Sequence, residues 1–412
     1  METSRPAVST PPVTGMPEAP GETAVPPDGE PESGLRPVRV ALLLPLSGPS
    51  APLGAAMFNA AQLALFDLAE ANFTLLPFDT RGTPEGAAEA ARQAVAGGVQ
   101  LAIGPIFSAE VKAVTPVTRQ AGLSLLSFTT DRSAAGDGVY VMGFLPRQQI
   151  DRIVGFARGQ GVGRFAVLAP DTEYGRTVVD LFNQATARSG ALVTRAEFYR
   201  PGTNEQAEAV KRLADYEQRA RALAKYRADL EARGDDPDAK QELKQLAGLD
   251  TMGEVEFDAV LIPEDGARLR NVAALLPFYD VDMRRVRALG TMLWDDPRLG
   301  EEPALVGGWY PAPSPGGRGE FLDAYAKAFG ARPPSIASLA YDATALAAVL
   351  ARQQGDFGAA ALTSPNGFAG VDGIFRLLPD GTSERGLAVM EVRRGGPAVV
   401  SPAPDTFEAP LY

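Results

Sequence analysis

From residue 38 onward, short apolar runs alternate with stretches whose apolar positions recur at helical spacing. Val38–Leu44 reads VRVALLL, with Arg39 as its one charge. Such a run suits a strand covered on both faces. Residues 45–52 are rich in Pro, Gly and Ser and continue neither strand nor helix. Ala56, Ala60, Leu63, Ala64 and Phe66 then repeat at helical spacing. This predicts a strand, a tight loop and a helix. In open α/β sheets, ligands bind at such a loop, between a strand's C-terminal end and a helix N-terminus.

The unit recurs. Strands are predicted over 73–78, 99–103, 123–128 and 139–144, with helices over 83–96 and 109–120. Pro84 falls in the first turn of one helix, and Ser108 is placed to cap the other. A second series follows: helix 149–159, strand 164–169, the loop PDTEYG opening helix 176–189, and strand 192–199. Strands 257–262, 286–290 and 304–309 come later, then a long helix over 335–351. Residues 373–378 and 388–393 read as an antiparallel hairpin around Pro379-Asp380-Gly381-Thr382. Residues 204–249 break the rhythm. They are dense in Ala, Arg, Lys, Glu and Leu, and predict one long helix over 205–233, a break at GDDPD and a second helix over 239–246. Charges of both signs mark an exposed helical hairpin inserted between two strands.

Length and charge narrow the class. A chain of 412 residues is long enough for two domains. Thirty-nine basic against 51 acidic residues give a net charge of −12, which argues against nucleic acid as a partner. The chain has neither Cys nor His, which removes disulfides, thiolate and imidazole metal sites, and Ser-His-Asp triads. Ser108 and Lys112 stand four apart, not three as in the Ser-x-x-Lys motif. The acidic pairs Asp295-Asp296 and Asp235-Asp236 are adjacent and point apart on a regular element. No glycine-rich phosphate motif is present, so neither an enzyme nor a cofactor is expected. Residues 1–36 are crowded with Pro, Gly, Ser, Thr and Glu, as in a disordered leader. A leader of this kind would suit a tether to a membrane.

The loops, in order, resemble those of type I periplasmic binding proteins, the Leu/Ile/Val-binding or receptor ligand-binding family. The carriers are VALLLPLSGPSAPLG, LPFDTRGTPEGAAEAARQAV, LAIGPIFSAEVKAVTPV, LSLLSFTTD, FAVLAPDTEYG, SLAYDATALAAVL and GVDGIFRLLPDGTSERGLAVMEV. The resemblance implies two Rossmann-like α/β lobes with parallel sheets, joined by three crossovers. Lobe 1 would hold 38–145 and 308–365, and lobe 2 would hold 146–307 and 366–412, with the helical insertion at 204–249. GPIFSAEVKAV and the charged insertion are most similar to the penicillin-binding-protein activator branch, the LpoA-type lipoproteins.

The resemblance also implies a cell-envelope protein that binds a small polar, amino-acid-like ligand by hinge closure, in partnership with an ABC permease. For the activator branch it implies instead a peptidoglycan synthase as partner and lipid anchoring at the outer membrane. The candidate ligand-binding residues are Ser47, Ser108, Thr129, Thr130, Asp131 and Trp309 within the lobe 1 bounds, and Tyr174, Glu264 and Trp294 within lobe 2, the two Trp because they fall at predicted strand ends. Ser108 would take a ligand carboxylate, Tyr174 would stack on the ligand and Glu264 would meet an ammonium. Asp131 falls where a Thr is usual. A carboxylate there would repel an anionic group and favour a cationic or hydroxyl-rich one.

Overall fold

The computed structural model describes residues 37–353 and 355–407, so the expected leader lies outside the described residues. The first stretch forms β1 (Val38–Leu44), α1 (Ala51–Leu68), β2 (Phe73–Asp79), α2 (Pro84–Ala96), β3 (Leu101–Ile103), α3 (Ser108–Gln120), β4 (Ser124–Ser127) and β5 (Val139–Val141). Their sheet is wholly parallel, in the order β2-β1-β3-β4-β5. Both β2 and β3 flank β1, the order that right-handed crossovers give when α1 and α2 cover opposite faces of the sheet. Val40, Leu42 and Leu44 enter one core layer, while Ala41 and Leu43 enter the layer on the opposite face. Burial on both faces explains the unbroken apolar run in β1.

The second lobe holds α4 (Pro146–Gly159), β6 (Arg164–Pro170), α5 (Glu173–Arg188), β7 (Leu192–Tyr199), α6 (Glu205–Leu213), α7 (Tyr216–Glu231), α8 (Pro237–Leu246), β8 (Ala259–Leu261), α9 (Gly266–Phe278), β9 (Arg287–Leu289) and β10 (Trp309–Ala312). The chain then returns to the first lobe as α10 (Pro315–Phe329), α11 (Ala337–Arg352) and α12 (Ala359–Leu362). A small antiparallel sheet of β11 (Phe368–Gly370), β12 (Gly373–Leu377) and β13 (Ser383–Arg385) follows. Finally β14 (Ala388–Glu391) and β15 (Ala398–Ser401) rejoin the second sheet. That sheet has the order β15-β14-β10-β9-β8-β6-β7, parallel except for β14 and β15. The lobes are therefore joined between β5 and α4, between β10 and α10, and between β13 and β14.

The returning segment completes the first core. Phe321 and Tyr325 of α10, Ala340, Ala343 and Ala347 of α11, and Phe375 and Leu377 of β12 share one cluster with β1. Small side chains on α11 let it lie against Ala60 and Ala61 of α1.

Sheet membership moves several expected boundaries. Trp309–Ala312 pairs with β9 and β14, so the first-lobe return starts at α10 and not at 308. β11 and β12 sit on the first lobe's core, so the final passage into the second lobe starts at β14 and not at 366. The hairpin expected between 373–378 and 388–393 is also corrected: β12 pairs with the three-residue β13, and β14 pairs with β10 of the other lobe. An apolar run does not say which sheet holds its partner.

The long helix expected over 205–233 breaks at Asp215, whose φ is 50°. Ala209, Val210 and Leu213 of α6 lie in the second core, because α6 is the crossover helix between β7 and β8. Only α7 and α8 form the exposed hairpin, with Leu223, Leu230 and Ala239 as their buried residues.

Candidate functional site

The loops that follow β3 and β4 in one lobe face those that open α4 and α5 in the other. Between them lies a cleft of about 860 Å³. Ser108, Thr129, Thr130 and Asp131 line it from the first lobe, and Tyr174 and Thr177 from the second. Pro146 and Gln148, at the first crossover, and Ser383, beside the third, form its back wall. A smaller, mostly apolar branch of about 320 Å³ shares Thr130, Pro146 and Tyr174, and adds Phe128, Phe144, Met292, Leu293 and Ile336.

Local chemistry fixes Tyr174. Thr172 caps α5 by accepting the Gly175 amide at 3.1 Å. A Cβ on Gly175 would stand 2.0 Å from the Pro170 carbonyl oxygen, so this close approach requires glycine. Tyr174 is thereby held at the mouth of the loop, where its hydroxyl donates to Thr291 Oγ1 at 3.0 Å. Burial raises its phenol pKa above the ordinary value.

Five of the residues expected from the sequence meet in the cleft: Ser108, Thr129, Thr130, Asp131 and Tyr174. The others lie elsewhere. Ser47 stands outside the cleft lining, and its hydroxyl donates to Asp79 Oδ2 at 2.6 Å. Glu264 is buried, accepts from the Tyr199 hydroxyl at 2.7 Å and pairs with Arg268 at 2.9 Å. Its carboxylate is thus engaged within the second lobe.

Trp294 is fully buried and donates from Nε1 to the Ile262 carbonyl at 3.1 Å. Trp309 packs edge-on against Phe156 in the core, with Arg287 stacked 4.5 Å from its ring. Position at a strand end brought both Trp residues forward. The short 3₁₀ turn Met292–Trp294 then rotates Trp294 inward, where its ring closes over the bare Cα of Gly290.

Ser108 was expected to cap α3, but it is the first residue of the helix proper. Glu110 instead accepts the Phe107 amide at 3.2 Å. The Ser108 hydroxyl donates to Asp131 Oδ2. Lys112 Nζ approaches the same oxygen at 3.2 Å. Asp131 Oδ1 accepts from the Ser133 amide at 2.9 Å and from its hydroxyl at 2.6 Å. These hydrogen bonds, Ser108's foremost, hold the Asp131 carboxyl well below the usual carboxylate range. Around the rest of the rim, Arg132 pairs with Asp380 at 3.4 Å, while Arg147 donates to Gln184 at 3.1 Å.

Sequence reasoning missed the apolar branch. Met292 and Leu293 directly precede Trp294 in the same short 3₁₀ turn. Phe144 and Ile336 had no motif to mark them. Among the described residues, no group of three or more His, Cys, Asp or Glu is placed to hold a metal ion.

Residues 37–230 match the family described as "Periplasmic binding protein". An uncharacterised protein of Rickettsia prowazekii is 22% identical over 179 residues, which is 43% of this chain. The chain spans about half the length of that curated relative, 47% of it. Among solved structures, a Rhodospirillum rubrum protein named for a branched-chain amino acid ABC transporter superposes with a TM-score of 0.70 at 19% identity, covering 88% of this chain and 100% of its own. An ABC transporter substrate-binding protein from Desulfitobacterium hafniense, in complex with Leu, gives a TM-score of 0.59 at 16% identity, covering 89% and 100%. The likeness to solved structures spans both lobes. Together with the family match over residues 37–230, it shows that the chain has the two-lobe α/β fold of periplasmic binding proteins.

Proposed function

We propose that this protein is a cell-envelope solute-binding protein that captures a small polar, amino-acid-like metabolite by closing its two lobes and presents it to an ABC permease. The observation that carries this reading is the cleft of about 860 Å³, walled by both lobes and by two of the crossovers that join them. A ligand touching both walls stabilises the closed arrangement over the open one by its differential contacts. The side-by-side polar corner and apolar branch suit a compact molecule with one polar and one apolar end.

The test is direct. Protein purified under non-denaturing conditions is unfolded, and the released small molecules are identified by mass spectrometry. Each candidate is then titrated back calorimetrically, with small-angle scattering to follow closure. A released metabolite that binds stoichiometrically and compacts the protein supports the reading. An empty protein that no candidate compacts counts against it.

A second reading rests on the exposed α7–α8 hairpin, which presents charges of both signs and adds little to the core. In that reading the protein is an LpoA-type lipoprotein, tethered through its N-terminus, that regulates a peptidoglycan synthase by contact. Co-purification with such a synthase, lost on removing the hairpin, would favour it.

A further inference from the structure

The corner of the cleft at the start of α3 already holds an anion, and that anion belongs to the chain. Ser108 and Lys112 converge on Asp131 Oδ2, while the amide and hydroxyl of Ser133 converge on Oδ1. A hydroxyl, an ammonium and the opening turn of a thirteen-residue helix together make a receptor for a carboxylate or phosphate. The hydroxyl and the ammonium are both directed at the Asp131 side chain. Beside them, Glu110 turns back on the Phe107 amide, and Thr129 Oγ1 accepts the Asp131 amide at 3.1 Å.

We infer that Asp131 is a tethered anion that sets the specificity of this cleft by shutting out solutes whose carboxylate would lie on Ser108 and Lys112. A second carboxylate there would meet a like charge within a few ångströms and find its donors taken. The same saturation removes the attraction for a cation, since Lys112 balances the charge and four donors use the oxygens. The solute therefore presents an uncharged polar group at this corner. This deepens the solute-binding reading and rests on it for its biological meaning. The corner's anion preference can be tested without knowing the solute.

The probe is acetate, added to the full chain at constant ionic strength with chloride as the reference salt, and read by thermal unfolding and NMR titration. Asp131→Ala vacates the carboxylate's volume. Asp131→Ser vacates it too, while leaving an oxygen to accept the Ser133 amide, and so guards against misfolding. Acetate should bind both variants saturably, at least ten-fold more tightly than wild type, and should raise their unfolding temperature. Adding Ser108→Ala to either variant should weaken acetate binding several-fold. Folded variants that respond to acetate as they do to chloride would overturn the inference, and so would a wild type that binds acetate within three-fold of the variants. If acetate fills the variants while wild type neither releases nor binds any metabolite, the inference stands and the solute-binding reading fails.

Discussion

Arg385 and Asp342 pair at 3.3 Å with neither side chain reaching solvent. Arg385 stands at the end of β13, just before the third crossover, and Asp342 lies within α11. The same guanidinium donates to the Met142 carbonyl at 3.2 Å and stacks 4.6 Å from Phe144, both on the first crossover. One side chain thus ties two of the three hinge strands to the first lobe. Removing it would strand a buried carboxylate, so Arg385→Met should lower unfolding free energy by about 3–5 kcal/mol in urea titration. The double variant with Asp342→Asn should recover part of that loss. A loss below about 1 kcal/mol in the single variant would contradict this role.

Asp342 also predicts a pH dependence. Burial pushes its carboxyl up from 3.8 to about 7; the Arg385 charge pulls it down, and Asp372 adds to the rise. A carboxyl whose folded pKa exceeds its unfolded value binds more protons when folded, so its contribution to stability falls as pH rises between those two values. Wild type should therefore lose stability relative to Asp342→Asn between about pH 4 and pH 7. Denaturant midpoints of both proteins across that range test this, and parallel curves would refute it.

Both tryptophans are core residues, Trp294 at 0% and Trp309 at 9% exposure. Intrinsic fluorescence should be blue-shifted and resist iodide quenching. Trp294→Ala should cost about 3–5 kcal/mol of stability. Trp294→Phe, which loses the bond to Ile262, should leave the affinity of any cleft ligand unchanged by calorimetry.

Tyr174 is the aromatic residue shared by both branches of the cleft. Tyr174→Ala should weaken binding of an identified solute by about 1–3 kcal/mol through lost apolar contact. Tyr174→Phe removes only the bond to Thr291 and should cost about 0.5–1.5 kcal/mol of stability. Equal affinity of wild type and the Ala variant would place the ligand elsewhere.

The exposed hairpin should be dispensable and α6 should not. Replacing 220–250 with a short Gly-Ser linker keeps Arg219, which donates to the Asp280 carbonyl at 3.2 Å, and should retain cooperative thermal unfolding. Extending the deletion back to 206 removes Ala209, Val210 and Leu213 from the second core and should abolish cooperativity.

Much of the fold was legible because a strand buried on both faces must be apolar throughout, and β1, β6 and β8 carry that mark in their own residues. The site was legible in part for the same reason: Ser108, Thr130 and Tyr174 follow strand ends, and strand ends in a parallel sheet share one edge. Glu264 obeyed the same rule and was nonetheless taken up by Tyr199 and Arg268, because position at a strand end does not say which way a side chain turns. The break at Asp215 was hidden because α6 and α7 are rich in the same helix-forming residues, and only the demand for a crossover between β7 and β8 separates them.

The sequence by itself determined the alternating α/β units and the loops at their strand ends, since each follows from local periodicity and turn chemistry; the two-lobe class came from the resemblance of those loops to a known family. Tertiary structure alone decided three matters. It assigned β10 and β14 to the second sheet, turned both Trp residues into the cores, and closed Asp131 onto Ser108, Lys112 and Ser133. Each depends on groups brought together from separate loops or sheets, and hydrogen bonds and burial between such groups leave no periodic trace along the chain.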